Sequence, residues 1–222
     1  MILFVELSVG VALIVALVIE SSSWWIKALC PPNQMGAYIS RTNIYLYGGR
    51  FFVLVFSSGV AFHVESGQSP GRVSILVGVS MLFAALAQAA LLNHGPVGRL
   101  VLRWAARLLR LDGAFPSNDK VQRPWSPLSL PTLLSSLAFG LGTGVPLLIA
   151  ALIPEFRLSI SYIGQIINAA GTLIILFYVD QRLYRSMDQG VLMSEMSGYT
   201  AGRVIGFTIS GIIFVSISFM VR

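Results

Sequence analysis

Six stretches of this chain stay apolar over about the twenty residues that a helix needs to cross a bilayer. They run roughly over residues 2–26, 43–62, 73–92, 133–153, 160–179 and 199–221. Backbone N–H and C=O groups in hydrocarbon have no water to bond, and a helix satisfies them within one segment. The chain is therefore expected to be all-α, a polytopic transmembrane bundle forming one membrane domain over residues 1–222. Composition agrees: 11% of residues are charged and 55% hydrophobic, whereas a soluble domain carries roughly 25% charged. The net charge of +6 does not point to nucleic acid, because most basic residues flank apolar spans or lie in one loop. A single cysteine, Cys30, excludes an internal disulfide and any multi-cysteine metal site.

The N-terminal Met-Ile-Leu-Phe-Val-Glu has no basic region and opens an apolar run too long for a signal-peptide core, so it reads as a retained first span. Trp24 and Trp25 mark an interface, Lys27 follows, and Cys30-Pro31-Pro32-Asn33 ends the helix. Gly67, Pro70 and Gly71 signal a turn before span 3, in which Gln88 is the one strongly polar side chain.

Residues 95–111 differ in kind. Arg99, Arg103, Arg107 and Arg110 share one helical face among Leu, Val, Ala and Trp104, the pattern of a helix lying in the cytoplasmic interface with its cations toward anionic phospholipids. Asp112 to Pro131 contains Pro116, Pro124, Pro127 and Pro131 and is expected to be an irregular loop. Gly140, Gly142, Gly144 and Pro146 predict a bend or interruption near the middle of span 4. Glu155, in the turn after it, is expected to cap the next helix. Gly202, Gly206 and Ser210 form a small-residue row that permits close helix packing, within the bundle or between protomers. Ten Lys and Arg fall in the loops after spans 1, 3 and 5, against Arg72, Arg157 and Arg222 on the other side, so the basic side is expected to be cytoplasmic and both termini extracytoplasmic.

Within this frame the polar residues inside the spans stand out. Arg50 lies about 10 Å in from the start of span 2, where an arginine costs at least about 2.5–3.5 kcal/mol unless it finds a partner or water. Glu20, on the neighbouring antiparallel span, falls at a matching depth, which predicts a Glu20–Arg50 pair. Asp180 and Arg203 sit near the same ends of spans 5 and 6. Two acids and two arginines on four helices suit a wet pocket for a phosphate group, since guanidinium presents a fixed fork of donors. The plain alternative is a set of ion pairs that only fixes helix packing. His63 and His94 fall at span ends, as interfacial histidines do, and neither has a second metal ligand nearby in sequence. No Gly-rich phosphate loop, His-x-x-x-His or nucleophile elbow is present, so hydrolase and ATPase readings lack residues, and neither enzyme activity nor a cofactor is expected.

Several motifs occur in a recognisable order: Glu20 with Lys27, Asn43-Ile44 with Arg50, Ile153-Pro154-Glu155-Phe156-Arg157, Ile167-Asn168-Ala-Ala-Gly171-Thr172, Val179-Asp180 and Gly202-Arg203-Val-Ile-Gly206. Together they resemble the Amj family, the bacterial lipid II flippases named as alternates to MurJ. The likeness runs from span 1 to span 6, in divergent form: Gly49 and Phe51 flank Arg50 where the family has Ser and Thr, Ala169 follows Asn168 where it has Gly, and Gln181 follows Asp180 where it has Pro.

The resemblance implies a multi-pass protein of the bacterial cytoplasmic membrane. It implies export of lipid II, an undecaprenyl-diphosphate-linked peptidoglycan precursor, from inner to outer leaflet. On that footing Arg50, Arg203, Lys27, Asn43 and Asn168 are expected to bind the diphosphate headgroup, and Glu20 and Asp180 to hold the arginines when the pocket is empty. Gly140, Gly142, Gly144 and Pro146 would form the hinge. Two other readings fit the residues: an integral-membrane enzyme acting on a polyprenyl phosphate or phospholipid, and a non-catalytic subunit of a membrane complex.

Overall fold

In the computed structural model, which describes residues 2–31, 34–92, 95–111 and 125–221, every regular element is helical. The order is α1 (Ile2–Ala28), α2 (Met35–Glu65), α3 (Pro70–Leu92), α4 (Pro96–Leu108), α5 (Ser129–Leu152), a short 3-10 turn (Pro154–Phe156), α6 (Arg157–Ile174), a π-helical segment (Ile175–Asp180), α7 (Gln181–Asp188) and α8 (Leu192–Met220). Six helical stretches are long and apolar enough to cross a membrane: Phe4–Ala28, Met35–Glu65, Pro70–Leu92, Ser129–Leu152, Ser159–Asp188 and Leu192–Met220. The protein is a polytopic membrane helix bundle. At one end or both, each helix runs past the apolar core that reveals it in sequence, most in the second, fifth and sixth spans (Met35–Glu65, Ser159–Asp188 and Leu192–Met220), because helix geometry continues into the interface while hydropathy does not. Pro32, Asn33, His94, Pro116, Lys120, Arg123, Pro124 and Arg222 fall outside the described residues.

Small residues set the helix pairings. On α8, Gly202 meets Thr132 and Gly206 meets Ser136; on α5, Gly140 meets Ser210 and Gly144 meets Phe214. Both helices advance four residues per contact, so α5 and α8 run parallel with matched rows in van der Waals contact. The row through Gly202, Gly206 and Ser210 thus packs within the bundle. Antiparallel α3 packs on another face of α8, with Gly71 against Ser218 and Val221 and Gly78 against Gly211 and Val215. Helix α2 runs antiparallel to α1, with Gly49 on Ile19 and Gly59 on Val9.

Three expectations are corrected. First, α5 is not interrupted: its helix is continuous through Pro146. Its glycines admit neighbours instead, since a Cβ at Gly142 would strike Asn168 and one at Gly144 would strike the Phe214 ring. The irregularity lies in the fifth span, where α6 passes into the π-helical turn ending at Asp180. Second, the irregular loop ends sooner than Pro131, which lies in the first turn of α5; proline is tolerated there because its missing N–H has no intrahelical partner. Third, α6 starts without a side-chain cap, so Glu155, in the exposed 3-10 turn, does not cap it.

Helix α4 presents three faces. Gly98, Leu102, Ala105 and Ala106 are buried against the bundle, Val97, Leu100, Trp104 and Leu108 are exposed, and Arg99, Arg103 and Arg107 project between these stripes at the 100° step of a helix. Its C-terminus closes in a Schellman turn, Leu111 N–H donating to Ala106 O and Arg110 N–H to Arg107 O. Arg110 takes the left-handed position (φ 53°) usually given to glycine, and the Arg41 guanidinium donates to the carbonyls of Leu109 and Arg110.

Candidate functional site

The last third of α1 carries the site. Its interface stripe, Trp24 and Trp25, is fully built into the interior: Trp25 Nε1–H donates to Thr200 Oγ1 of α8 at 3.0 Å, and Trp24 stacks edge-on against Tyr184 of α7. With α1 anchored to α8 and α7 in this way, Glu20 is directed at α8. Arg203 Nη1 donates to Glu20 Oε1 at 2.8 Å and Nη2 to Oε2 at 2.7 Å, a two-pronged pair. The Arg203 side chain is 5% exposed and that of Glu20 31%. Tyr199, one turn before Arg203 on α8, places its ring 5.7 Å from the guanidinium carbon, and the Phe207 ring lies 5.4 Å away on the other side.

Lys27, two turns beyond Glu20 on α1, is 2% exposed. Its Nζ donates to Asn43 Oδ1 of α2 at 2.9 Å and stands 4.0 Å above the Trp24 ring, a cation–π contact strengthened by desolvation. Among the described residues no carboxylate comes within ion-pair distance of it. Asp180, closing the π-helical turn, interacts electrostatically with both Lys27 and Glu20 without touching either. An ammonium has three donors, so Lys27 keeps capacity that Asn43 does not use.

The structure thus joins Glu20, Lys27, Asn43, Asp180 and Arg203 from α1, α2, the fifth span and α8. The predicted Glu20–Arg50 pair does not form. Gly49 abuts Ile19, so Arg50 lies level with Glu20 but points another way. With Gly49 turned into the helix interface, Arg50, 100° further round, faces away from α1. It is exposed, its guanidinium 5.1 Å from the Tyr47 ring. Tyr47 in turn interacts with Tyr184, which lies beside Asp180 and Lys27, so Arg50 occupies the rim of the cluster. Asn168 is elsewhere: it sits twelve residues before Asp180, about 18 Å along the helix, packed on Gly142 of α5. The paired glycines at 48 and 49 divide the same way, Gly49 packed on Ile19 and Gly48 in open space.

Two further polar residues are placed otherwise than their sequence positions suggest, Gln88 level with this site and His63 far from it. The register of α3 on α8, continued from Gly78, brings Gln88 to the level of Arg203. Gln88 is fully buried, and neither its Oε1 nor its Nε2 has a hydrogen-bond partner; Arg203 Nε is also unpartnered. Unsatisfied buried amides are rare, and each calls for an explanation. Its solitary position in span 3 was the available signal. The second is His63, expected at an interface but 2% exposed, with Nδ1 against Gly59 O and Nε2 3.7 Å from Glu6 at the opposite end of α1.

Comparison with protein-family models, with curated proteins and with solved structures finds no match.

Proposed function

We propose that this chain is a flippase that moves lipid II, an undecaprenyl-diphosphate-linked peptidoglycan precursor, from the inner to the outer leaflet of the bacterial cytoplasmic membrane. The observation that carries the reading is Lys27: a buried cation without a carboxylate in contact, beside a polar cluster on four spans. Intramembrane charge of this kind is costly and marks substrate pathways. Glu20 occupies both arms of Arg203, and Asp180 balances Lys27 from a distance. A diphosphate displaces these acids, taking donors from Lys27 and Arg203 in a low-dielectric site where charge-assisted hydrogen bonds are strong.

The headgroup reaches the cluster from the side. Helix α2 and the fifth span both pack on α5 but hardly on each other, and Arg50, Tyr47 and Tyr184 line that flank. The polyprenyl tail stays in the bilayer while Arg50 meets the diphosphate first. The π-helical turn at Asp180 is the point of irregular backbone in the span, a feature that recurs at functional sites. Helix α4 holds this end at the cytoplasmic interface, its Arg99, Arg103 and Arg107 on anionic phospholipid headgroups and its Trp104 stripe in the acyl boundary.

The test is reconstitution of the purified chain in vesicles loaded with lipid II. Exposure of the lipid on the far leaflet, with its chemistry unchanged, is the expected result. Product formation from the lipid by pure protein would assign an enzyme instead, and absence of transport by a folded chain would reject the proposal.

A further inference from the structure

At the end of the bundle opposite the Lys27 cluster, α1 and α3 leave a groove of about 530 Å³ along their seam. Its walls are apolar: Leu7, Val11 and Ile14 on α1, and Ile75, Val79 and Phe83 on α3. From Arg72 to Phe83 the groove follows α3 for about 16 Å, close to half of the roughly 30 Å hydrocarbon core. It therefore has the depth of a single leaflet. Its mouth is polar. Arg72 Nε donates to Glu6 Oε1 at 2.7 Å and Arg72 Nη1 to Gln68 Oε1 at 3.2 Å, while buried His63 holds Nε2 3.7 Å from the same Glu6 oxygen. Among the described residues nothing bonds Arg72 Nη2 or Glu6 Oε2. The mouth thus keeps one open cationic donor and one open anionic acceptor side by side.

We infer that this groove is a binding site for phosphatidylethanolamine of the leaflet at that end. One acyl chain lies between α1 and α3. The phosphate accepts from Arg72 Nη2, and the primary ammonium donates to Glu6 Oε2. Charge complementarity selects this headgroup. Phosphatidylglycerol brings the phosphate but no cation for Glu6. Phosphatidylcholine brings a cation whose methyl groups leave it no N–H to donate.

Native mass spectrometry of the full chain, released from bilayer discs holding equal amounts of phosphatidylethanolamine, phosphatidylcholine and phosphatidylglycerol with identical chains, tests this. Charge-assisted hydrogen bonds at the mouth predict retention of phosphatidylethanolamine about tenfold over phosphatidylcholine. Glu6→Gln brings the ratio close to one, and Val79→Trp, which fills the groove, removes retained lipid of every kind. Should Val79→Trp fail to fold, Leu7→Trp closes the groove from the facing wall. Equal retention of phosphatidylethanolamine and phosphatidylcholine by the unaltered chain overturns the proposal. So does a preference that survives Glu6→Gln, lipid retention unaffected by filling the groove, or stronger retention of phosphatidylglycerol than of phosphatidylethanolamine.

Discussion

Helix α1 makes the same kind of ion pair at both ends, and the two pairs behave as different objects. Glu6 meets Arg72 at 2.7 Å, and Glu20 meets Arg203 at 2.7 Å. Fourteen residues, about 21 Å of helix, separate the two acids. Arg72 is 44% exposed and Arg203 5%. The first pair sits where solvent and headgroups screen it, and such pairs contribute little to stability. The second is held among Tyr199, Phe207 and the matched small rows of α5 and α8, where neither partner can be removed without stranding the other. A charge placed like Arg203 costs the fold free energy in a way that a surface charge does not, and function is the usual reason for bearing that cost.

The comparison breaks most visibly if the two arginines prove equivalent. Arg203→Ala is expected to lose about 3–5 kcal/mol in a detergent unfolding measurement, and Arg72→Ala to leave the melting temperature unchanged; equal losses would remove the distinction. Seating α8 on α5 is what fixes Arg203, so Gly206→Leu, driven into Ser136 and the Leu133 carbonyl, is expected to cost about 1–3 kcal/mol or more. Gly48→Ala, in open space on α2, is expected to gain about 0.5–1 kcal/mol. Gln88→Leu sharpens the contrast within the buried end. Replacing an unsatisfied amide by an apolar group of similar size is expected to raise stability by about 1 kcal/mol while lowering lipid transport several-fold. A fall in both would make Gln88 structural. Trp25→Phe, which removes the bond to Thr200, is expected to cost about 1 kcal/mol, read in the same unfolding assay.

Much of this architecture is legible in the sequence, for physical reasons that also explain the misses. Apolar length identifies all six spans because a bilayer imposes it, and four-residue spacing finds the α8 row because small side chains let backbones approach. Depth is equally readable: counting residues places Glu20, Arg50, Asp180 and Arg203 near one level. Azimuth is not. Whether Arg50 or Arg203 meets Glu20 depends on which way each helix is turned, and Gly49, by packing on Ile19, turns Arg50 outward. The glycines of α5 mislead for a related reason, since a glycine that weakens a helix and one that admits a neighbour look the same until the neighbour is known. Nothing in Ile175–Asp180 marks its π-helical turn, because that geometry arises from packing and not from residue preference. Gln88 was visible as a lone polar residue but had no partner in sequence to interpret it.

The central claim is that the buried end of α1 receives a diphosphate through Lys27, and Lys27→Met tests it without dismantling the fold. Lys27 has no carboxylate in contact among the described residues, so Met of similar length strands chiefly the Asn43 amide oxygen, at a cost of about 1–3 kcal/mol. Folding of the variant is checked by its unfolding transition before transport is compared. The measurement is the rate at which lipid II appears on the far leaflet of vesicles carrying equal amounts of either protein. A drop of about tenfold or more, the loss of one buried charge-assisted contact, is the predicted result. Transport by Lys27→Met at the unaltered rate would contradict the account.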